Sequence, residues 1–500
     1  MKYVIGVDLG TSAVKILLVN QLGEVTQEVS RSYPLIQERP GFSEQNPQDW
    51  IDQTVIGLSE LLSNFHEDIE HIEGISFSGQ MHGLVLLDEN QEVLRNAILW
   101  NDTRTTTECE QITNMIGTER LLEITKNPAV EGFTLPKLLW VKKHEPDIYH
   151  RIATFLLPKD YVRFKLTGKL HMEYSDAAGT LLLDLNEKKW SNEICKALDI
   201  PYHICPPLIE SCDEVGYVSA DFAKVTGLSP KTRVFAGGAD NACGAIGSGI
   251  LEEGSTLCSI GTSGVILSYE SKDNLDFNGK VHYFTHAAPG AYYSMGVTLA
   301  AGHSLTWFKK VFASEQSFEE LLLEVGSVPI GSNGLLFTPY LVGERTPYAD
   351  ADIRASFIGM DSSHTRKDFV RAVLEGITFS LNESIQLFRQ KGKQVDTIIS
   401  IGGGAKSSDW LQIQADVFEA NVIKLTNEQG PGMGAAMIAA YGCGWYSSLN
   451  ECANQFLHVD SIFHPVPQHV KQYRELFSIY QDVYKNTRDL NKKLRPFRSS

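Results

Sequence analysis

The chain has 500 residues, more than one hydrophobic core usually serves, so two large domains are expected. Hydrophobic content of 43% and charged content of 21% exclude extended disorder. The formal net charge of −17 argues against nucleic acid or anionic lipid as the main partner, though an anionic small molecule can still be held by local amides and a metal ion.

Residues 2–8 read as a short β-rich strand, Gly10-Thr-Ser12 as a turn, 14–19 as a return strand and 24 onward as a third strand. No room is left for crossover helices, so these strands should be antiparallel neighbours. A helix follows, with Asn46 as its cap, Pro47 at its first position, and Trp50, Val55, Leu58, Leu61 and Leu62 at helical spacing. The second half opens in the same way, with a strand at 255–260, the turn Gly261-Thr-Ser-Gly264 and a return strand at 265–269. Leu9-Gly-Thr-Ser-Ala-Val14 and Ile260-Gly-Thr-Ser-Gly-Val265 are nearly one motif, which suggests a duplicated domain with a boundary in the glycine-rich passage 247–253. The opening apolar run is too short for a signal peptide, and no stretch approaches the ~20 apolar residues of a membrane helix. Eight scattered cysteines, without a CxxC pair, read as reduced thiols, so a cytoplasmic location is expected.

Several segments could carry chemistry. A turn of Gly10, Thr11 and Ser12 can aim amides and hydroxyls at a phosphate, with Asp8 at the strand end placed to hold a hydrated Mg2+. An ordinary glycine hairpin with a surface Asp reads the same way until the second hairpin, Gly261 and Thr262, makes it half of a clamp. In Ala236-Gly-Gly-Ala-Asp240-Asn241, small neighbours let a substrate approach, and Asp240 could take the proton from a hydroxyl attacking a phosphoryl group. Asp240 could equally cap the following helix. Ser78-Gly-Gln-Met-His-Gly83 reads as a hairpin turn between strands at 72–77 and 84–87, with Met81 and His82 at its tip. Trp100, Asp102 and Arg104 offer an aromatic plate and polar groups suited to a polyol; a buried Trp beside a surface ion pair is the alternative. At 398–405 a strand delivers Gly402-Gly-Gly-Ala405 to a helix at 409–418, and three glycines there permit a flat ring such as adenine to lie against backbone. Gly430-Pro-Gly-Met-Gly-Ala435 fits a dinucleotide fingerprint but lacks its βαβ context, so close helix packing explains its small residues better. No Walker A sequence is present.

Gly6-Val-Asp-Leu-Gly-Thr-Ser12, Ser78-Gly-Gln-Met-His-Gly83, Trp100-Asn-Asp102, Gly237-Gly-Ala-Asp-Asn241, Gly261-Thr-Ser263 and Gly402-Gly-Gly-Ala405, in this order, resemble the FGGY carbohydrate kinases. That family belongs with actin, hexokinase and the heat-shock chaperones, and the likeness spans roughly residues 1–460. It implies an α/β fold of two RNase H-like domains, expected at 1–247 and 248–500, hinged about a deep cleft where ATP and a sugar meet. Carried over by position, Asp240 is the base, Asp8 organises Mg2+, and Met81, His82, Trp100, Asp102 and Asn241 contact the sugar. Thr11, Ser12, Gly261 and Thr262 cradle phosphates, while Gly302, Gly403 and Gly404 line the ATP site; Ser408 stands where relatives often carry Asn. Within the family, Gln80-Met-His-Gly83 and Trp100-Asn-Asp102 are similar to the branch that phosphorylates the ketopentose D-xylulose. Ribulose, gluconate or glycerol as acceptor, a catalytically silent sugar sensor, and a chaperone-like ATPase are the alternatives. A homodimer is the expected assembly.

Overall fold

A computed structural model describes residues 1–271, 276–426 and 428–498. Strands β1 (Tyr3–Leu9), β2 (Ala13–Asn20) and β3 (Val25–Ser32) form the expected antiparallel meander. Helix α1 (Pro47–Ser63) starts where expected, with the Asn46 side chain accepting from the Gln48 N–H. β4 (Ile72–Gly79) then enters parallel to β1. Helices α2 (Thr134–His144), α3 (Pro158–Thr167) and α4 (Tyr174–Ala178) follow, before β5 (Glu214–Tyr217), β6 (Arg233–Phe235) and β7 (Gly238–Ala239) complete a seven-stranded sheet. Its order is β5-β6-β4-β1-β2-β3, with β7 also on β4.

Helix α5 (Asp240–Ile246) leads to a second seven-stranded sheet. Its strands are β8 (Ser255–Ile260), β9 (Gly264–Glu270), β10 (His282–Thr285), β11 (Tyr292–Thr298), β12 (Thr397–Gly402), β13 (Asn421–Leu425) and β14 (Val459–Phe463). They lie in the order β10-β11-β9-β8-β12-β13-β14, interleaved in sequence with α6 (Gly302–Phe312), α7 (Arg366–Gln390), α8 (Ser408–Phe418) and α9 (Gly430–Gly442) and followed by α10 (Pro467–Leu494). β8 is antiparallel to β9 and parallel to β12, as β1 is to β2 and β4. β12 is parallel to β13 and β13 antiparallel to β14, as β4 is to β6 and β6 to β5. The short repeat in the sequence therefore marks a duplication of the whole sheet plan.

The alternation of β1 decides where its chemistry points. Tyr3, Ile5, Val7 and Leu9 pack with Trp50, Leu58 and Leu61 of α1, in a core confined to the first half. Val4 on the opposite face joins a larger core that contains Met433, Ala436 and Met437 of α9. Asp8 shares that second face. α9 belongs by sequence to the second half, yet it lies on β1 and β4 of the first sheet and against α5. Small residues allow this: a Cβ on Gly6 would sit 2.2 Å from the Gly432 carbonyl oxygen. The run 430–435 is thus a packing surface, as its sequence suggested.

One local expectation fails. Residues 78–83 do not turn a hairpin, because the strand Val85–Leu87 pairs with Thr154–Leu156 and leaves β4 to pair with β1, β6 and β7. The segment is a passage from the main sheet into the α2–α4 region, and adjacency in sequence gave no means of telling the two apart.

Candidate active site

Three strand ends bring the two expected carboxylates together. In the parallel register of β4, Ser78 is the partner of Asp8 on one side and of Gly238 on the other. Asp240 follows β7 directly, as the first residue of α5, so Asp8, Ser78 and Asp240 share the carboxyl edge of the sheet. The capping alternative does not hold: Ala239 occupies the cap position, and the Asp240 carboxylate accepts from the Asn241 backbone N–H at 2.6 Å and its Nδ2 at 3.0 Å. Burial, and then the charge of Asp8, push the Asp240 carboxyl up to about 7, against the pull of the Asn241 hydrogen bonds. Asp8 is also raised by burial, tempered by the Ser78 hydroxyl and the Lys15 ammonium. Asp8 Oδ1 and Ser78 Oγ are buried close to each other, and neither makes a well-aligned hydrogen bond among the described residues.

The backbone before Asp240 is tied down from behind. The Ala239 N–H donates to Ser175 Oγ at 2.9 Å, Ser175 donates to Glu173 at 2.8 Å, and Lys159 reaches Glu173 at 3.1 Å and Asp176 at 2.9 Å, all fully buried. The sequence offered no signal for this network beyond its charged residues, which look like a solvated face.

A cavity of about 270 Å³ opens beside Asp240 and Asn241, and Met81, His82 and Trp100 line it. His82 has φ 66°, and its carbonyl accepts from Lys137 Nζ at 2.9 Å and Thr134 Oγ1 at 3.2 Å, which holds that turn in place. Its Nδ1 lies 2.6 Å from the Gly179 carbonyl oxygen, so Nδ1 carries the proton. Burial and the nearby Lys137 push the imidazole down to about 3, leaving a neutral ring whose Nε2 only accepts. Asn241 Nδ2 donates to the Met81 sulfur at 3.6 Å. Trp100 is 47% exposed and its Nε1 donates to Thr11 Oγ1 at 2.9 Å. Asp102 does not reach the cavity: it is wholly buried and its oxygens accept from the Ser43 N–H at 2.6 Å and from Arg104 at 2.6–2.9 Å. The exposed Trp and buried ion pair invert the alternative weighed from the sequence. The opposite wall, including His282, Phe284 and Arg345, comes from the second half and was missed. Its one sequence signal is Gly343-Glu-Arg-Thr-Pro347, a charged pair set between turn residues.

A larger cavity of about 760 Å³ lies over the second sheet, and Gly261, Thr262, Gly302, Gly403 and Ser408 line it. Leu305, Phe318 and Leu322 add an apolar wall that sequence reading did not find, and Lys406 adds a cation. The first two N–H groups of α6 close on the hairpin, from Gly302 to the Gly261 carbonyl at 2.9 Å and from His303 to that of Thr262 at 3.0 Å. A Cβ on Gly302 would meet the Gly261 oxygen at 2.3 Å, so only glycine fits. Gly404 faces inward instead: its Cβ would strike Ile260 at 2.5 Å, and it is a packing residue. Each hairpin closes on its leading glycine but over a different span, Gly10 N–H donating to the Ala13 carbonyl three residues on and Gly261 N–H to that of Ser263 two residues on, each at 3.0 Å. Thr11 and Ser12 line neither cavity; Thr11 is held by Trp100 and by Gln45, which donates to its carbonyl at 2.7 Å, while Ser12 is exposed.

Two sheets of one plan, paired glycine hairpins and two carboxylates at one sheet edge, beside a cavity walled by both halves, define the class of protein. Residues 3–247 match the N-terminal domain, and residues 256–443 the C-terminal domain, of the FGGY family of carbohydrate kinases. The chain belongs to that family, whose members transfer a phosphoryl group to an alcohol of a sugar. It is 62% identical over 500 residues to a protein of Bacillus subtilis named xylulose kinase, covering all of both chains. A ligand-bound xylulose kinase from Lactobacillus acidophilus has the same fold, with a TM-score of 0.94, 28% identity and coverage of 99% of this chain and 100% of that one. A gluconate kinase from the same organism reaches a TM-score of 0.92 at 28% identity, covering 97% and 98%, so the fold alone does not choose the sugar.

Proposed function

We propose that this chain transfers the γ-phosphoryl group of ATP to D-xylulose, giving D-xylulose 5-phosphate. The observation that carries the chemistry is Asp240, lining a cavity of about 270 Å³ with its carboxyl raised to about 7. A carboxylate of that basicity can take the proton of an attacking hydroxyl at neutral pH, which one near 4 does poorly. The xylulose kinase named above, identical at 62% of positions, supports the choice of sugar.

In this reading the sugar lies between Met81, His82, Trp100 and Asn241, and its terminal hydroxyl meets Asp240. His82 Nε2 accepts a hydrogen bond from a sugar hydroxyl; without a hydrogen of its own it cannot donate to the sugar's carbonyl oxygen. ATP occupies the larger cavity with its base between Gly403 and the apolar wall of Leu305, Phe318 and Leu322, and its phosphates run past Gly261 and Thr262 toward Asp8. Asp8 fits a hydrated Mg2+, since Oδ1 is buried without a well-aligned hydrogen bond and Mg2+ commonly takes only one or two protein carboxylates beside phosphate oxygens. When bound, that ion neutralises phosphate charge. Among the described residues no helix is long and apolar enough to cross a membrane, and all eight cysteines are free; both fit a cytoplasmic enzyme. A homodimer is part of the same proposal, checked by sedimentation velocity.

Coupled ADP release over D-xylulose, D-ribulose, gluconate and glycerol tests the substrate, with phosphorus NMR locating the phosphate. Asp240→Asn should lower turnover by ~10²–10⁴ while leaving sugar binding nearly intact. A variant within a few-fold of wild-type turnover removes Asp240 from the role.

A further inference from the structure

The sugar cavity is rich in groups that only accept hydrogen bonds. His82 spends its Nδ1 proton on the Gly179 carbonyl, leaving a lone pair at Nε2. His282 repeats this from the second half. Its Nδ1 lies 3.2 Å from Asn127 Oδ1, and that oxygen is fixed as the acceptor because the same amide takes the Tyr283 N–H at 3.2 Å and donates Nδ2 to the Tyr283 carbonyl at 2.7 Å. The His282 ring is pushed well down by burial and by Arg345, so it too is neutral with an accepting Nε2. Asp240 accepts as well, and Asn241 Nδ2 is committed to Asp240 and Met81. The Trp100 N–H goes to Thr11.

Arg345 is the exception. It lines the same cavity, its guanidinium can only donate, and it makes no hydrogen bond or ion pair among the described residues. The neighbouring Glu344 does not take it up, because its oxygens accept from Thr298, Ser380 and the backbone N–H groups of Leu299 and Arg345. The Arg345 nitrogens stay open to the cavity, and the charges of Glu131 and Glu344 favour the guanidinium without hydrogen-bonding it, so a ligand oxygen entering the cavity can take it up.

A ketose carries several hydroxyls, which can donate to imidazole nitrogens and a carboxylate, and one oxygen that can only accept, its ketone. Among the described residues, two side-chain donors on the cavity wall are uncommitted, the Ser263 hydroxyl, which can also accept, and the Arg345 guanidinium, which can only donate; matching by capacity pairs the ketone oxygen with Arg345. We propose that Arg345 recognises the substrate's ketone oxygen and is the residue by which this site prefers a ketose to the corresponding polyol. The inference rests on the ketose reading above and adds a residue contributed by the second half, so that the sugar is gripped from both sides of the cleft.

The test compares kcat/KM for D-xylulose with that for xylitol and D-arabinitol, the two alcohols that differ from it only at the carbonyl carbon. Wild type should favour the ketose strongly. Arg345→Met should lower kcat/KM for D-xylulose by ~30–100-fold but change the polyols by no more than about 3-fold, so that the preference collapses. Arg345→Lys, which keeps a charged donor, should recover part of it. KM for ATP and the melting temperature should stay near wild type in both variants, which separates this outcome from misfolding. A parallel fall for ketose and polyols, or a loss concentrated in KM for ATP, overturns the assignment. A wild type that prefers D-ribulose sinks the D-xylulose reading alone, and the same ratio measured with D-ribulose and its polyols then decides Arg345. A wild type that prefers glycerol or gluconate sinks both.

Discussion

Asp240 carries a cost that its chemistry requires. A carboxyl at about 7 in the folded chain and near 4 when unfolded takes up a proton on folding throughout that interval. Its contribution to stability is therefore most favourable below about pH 4, declines as pH rises through the window, and is at its worst above 7. Asp240→Asn has no such proton, so its melting temperature relative to wild type should be higher at pH 8 than at pH 5. An offset that does not change with pH would mean that the carboxyl is not raised. Activity runs the other way. The base must be deprotonated, so wild-type kcat/KM for the sugar should climb with pH through about 7, and the residual rate of Asp240→Asn should lack that limb.

At the scale of elements, functional groups sit where strands stop and helices begin. Asp8, Ser78 and Asp240 meet because β1, β4 and β7 end in register. The second hairpin is shaped by α6, whose opening N–H groups hold the carbonyls of Gly261 and Thr262 and leave the outer face of the turn to the 760 Å³ cavity. Gly302→Ala should disturb that face specifically, since the added methyl has only a backbone oxygen at 2.3 Å to move. Such overpacking commonly costs ~1–3 kcal/mol. We expect a raised KM for ATP and a lower melting temperature, with the affinity for sugar alone, measured by calorimetry, nearly unchanged. Equal losses for both ligands would place the turn outside the nucleotide site.

At the scale of the molecule, the two halves are joined by more than a linker. α9 covers β1 and β4 of the first sheet and packs on α5, so residues 1–247 alone would expose the face bearing Val4, Gly6 and Leu17. A 1–247 fragment should bind a hydrophobic dye and melt without a sharp transition, while adding back 248–500 restores cooperativity; a sharply melting fragment would show that α9 is dispensable. The sugar cavity likewise takes walls from both halves. Binding sugar and nucleotide together should draw the halves closer and lower the radius of gyration in solution scattering. Unchanged curves would rule out closure.

Much of this was determined locally, and so was readable in the sequence. The meander of β1–β3, the cap and first turn of α1, the two glycine hairpins and the strand-to-helix turn at 402–405 follow from propensity, alternation and turn chemistry over a few neighbours. Asp8, Met81, His82 and Asp240 stood out because short-range pattern and chemistry coincide there. Other features depend on which chain segments meet, and no local pattern encodes that. Tertiary contact alone exchanged the buried and exposed partners in Trp100 and Asp102, turned Gly404 inward onto Ile260, and sent Val85–Leu87 to Thr154–Leu156 instead of back to β4. The same holds for protonation. Asp240 near 7 and His82 near 3 are products of burial and of partners far away in sequence, Asp8 and Lys137 among them, so the sequence could supply the residues but not their charge. Arg345 is the clearest case: an ordinary arginine in a loop of the second half, it becomes an unpaired donor only when the fold sets it opposite His82 and Asp240.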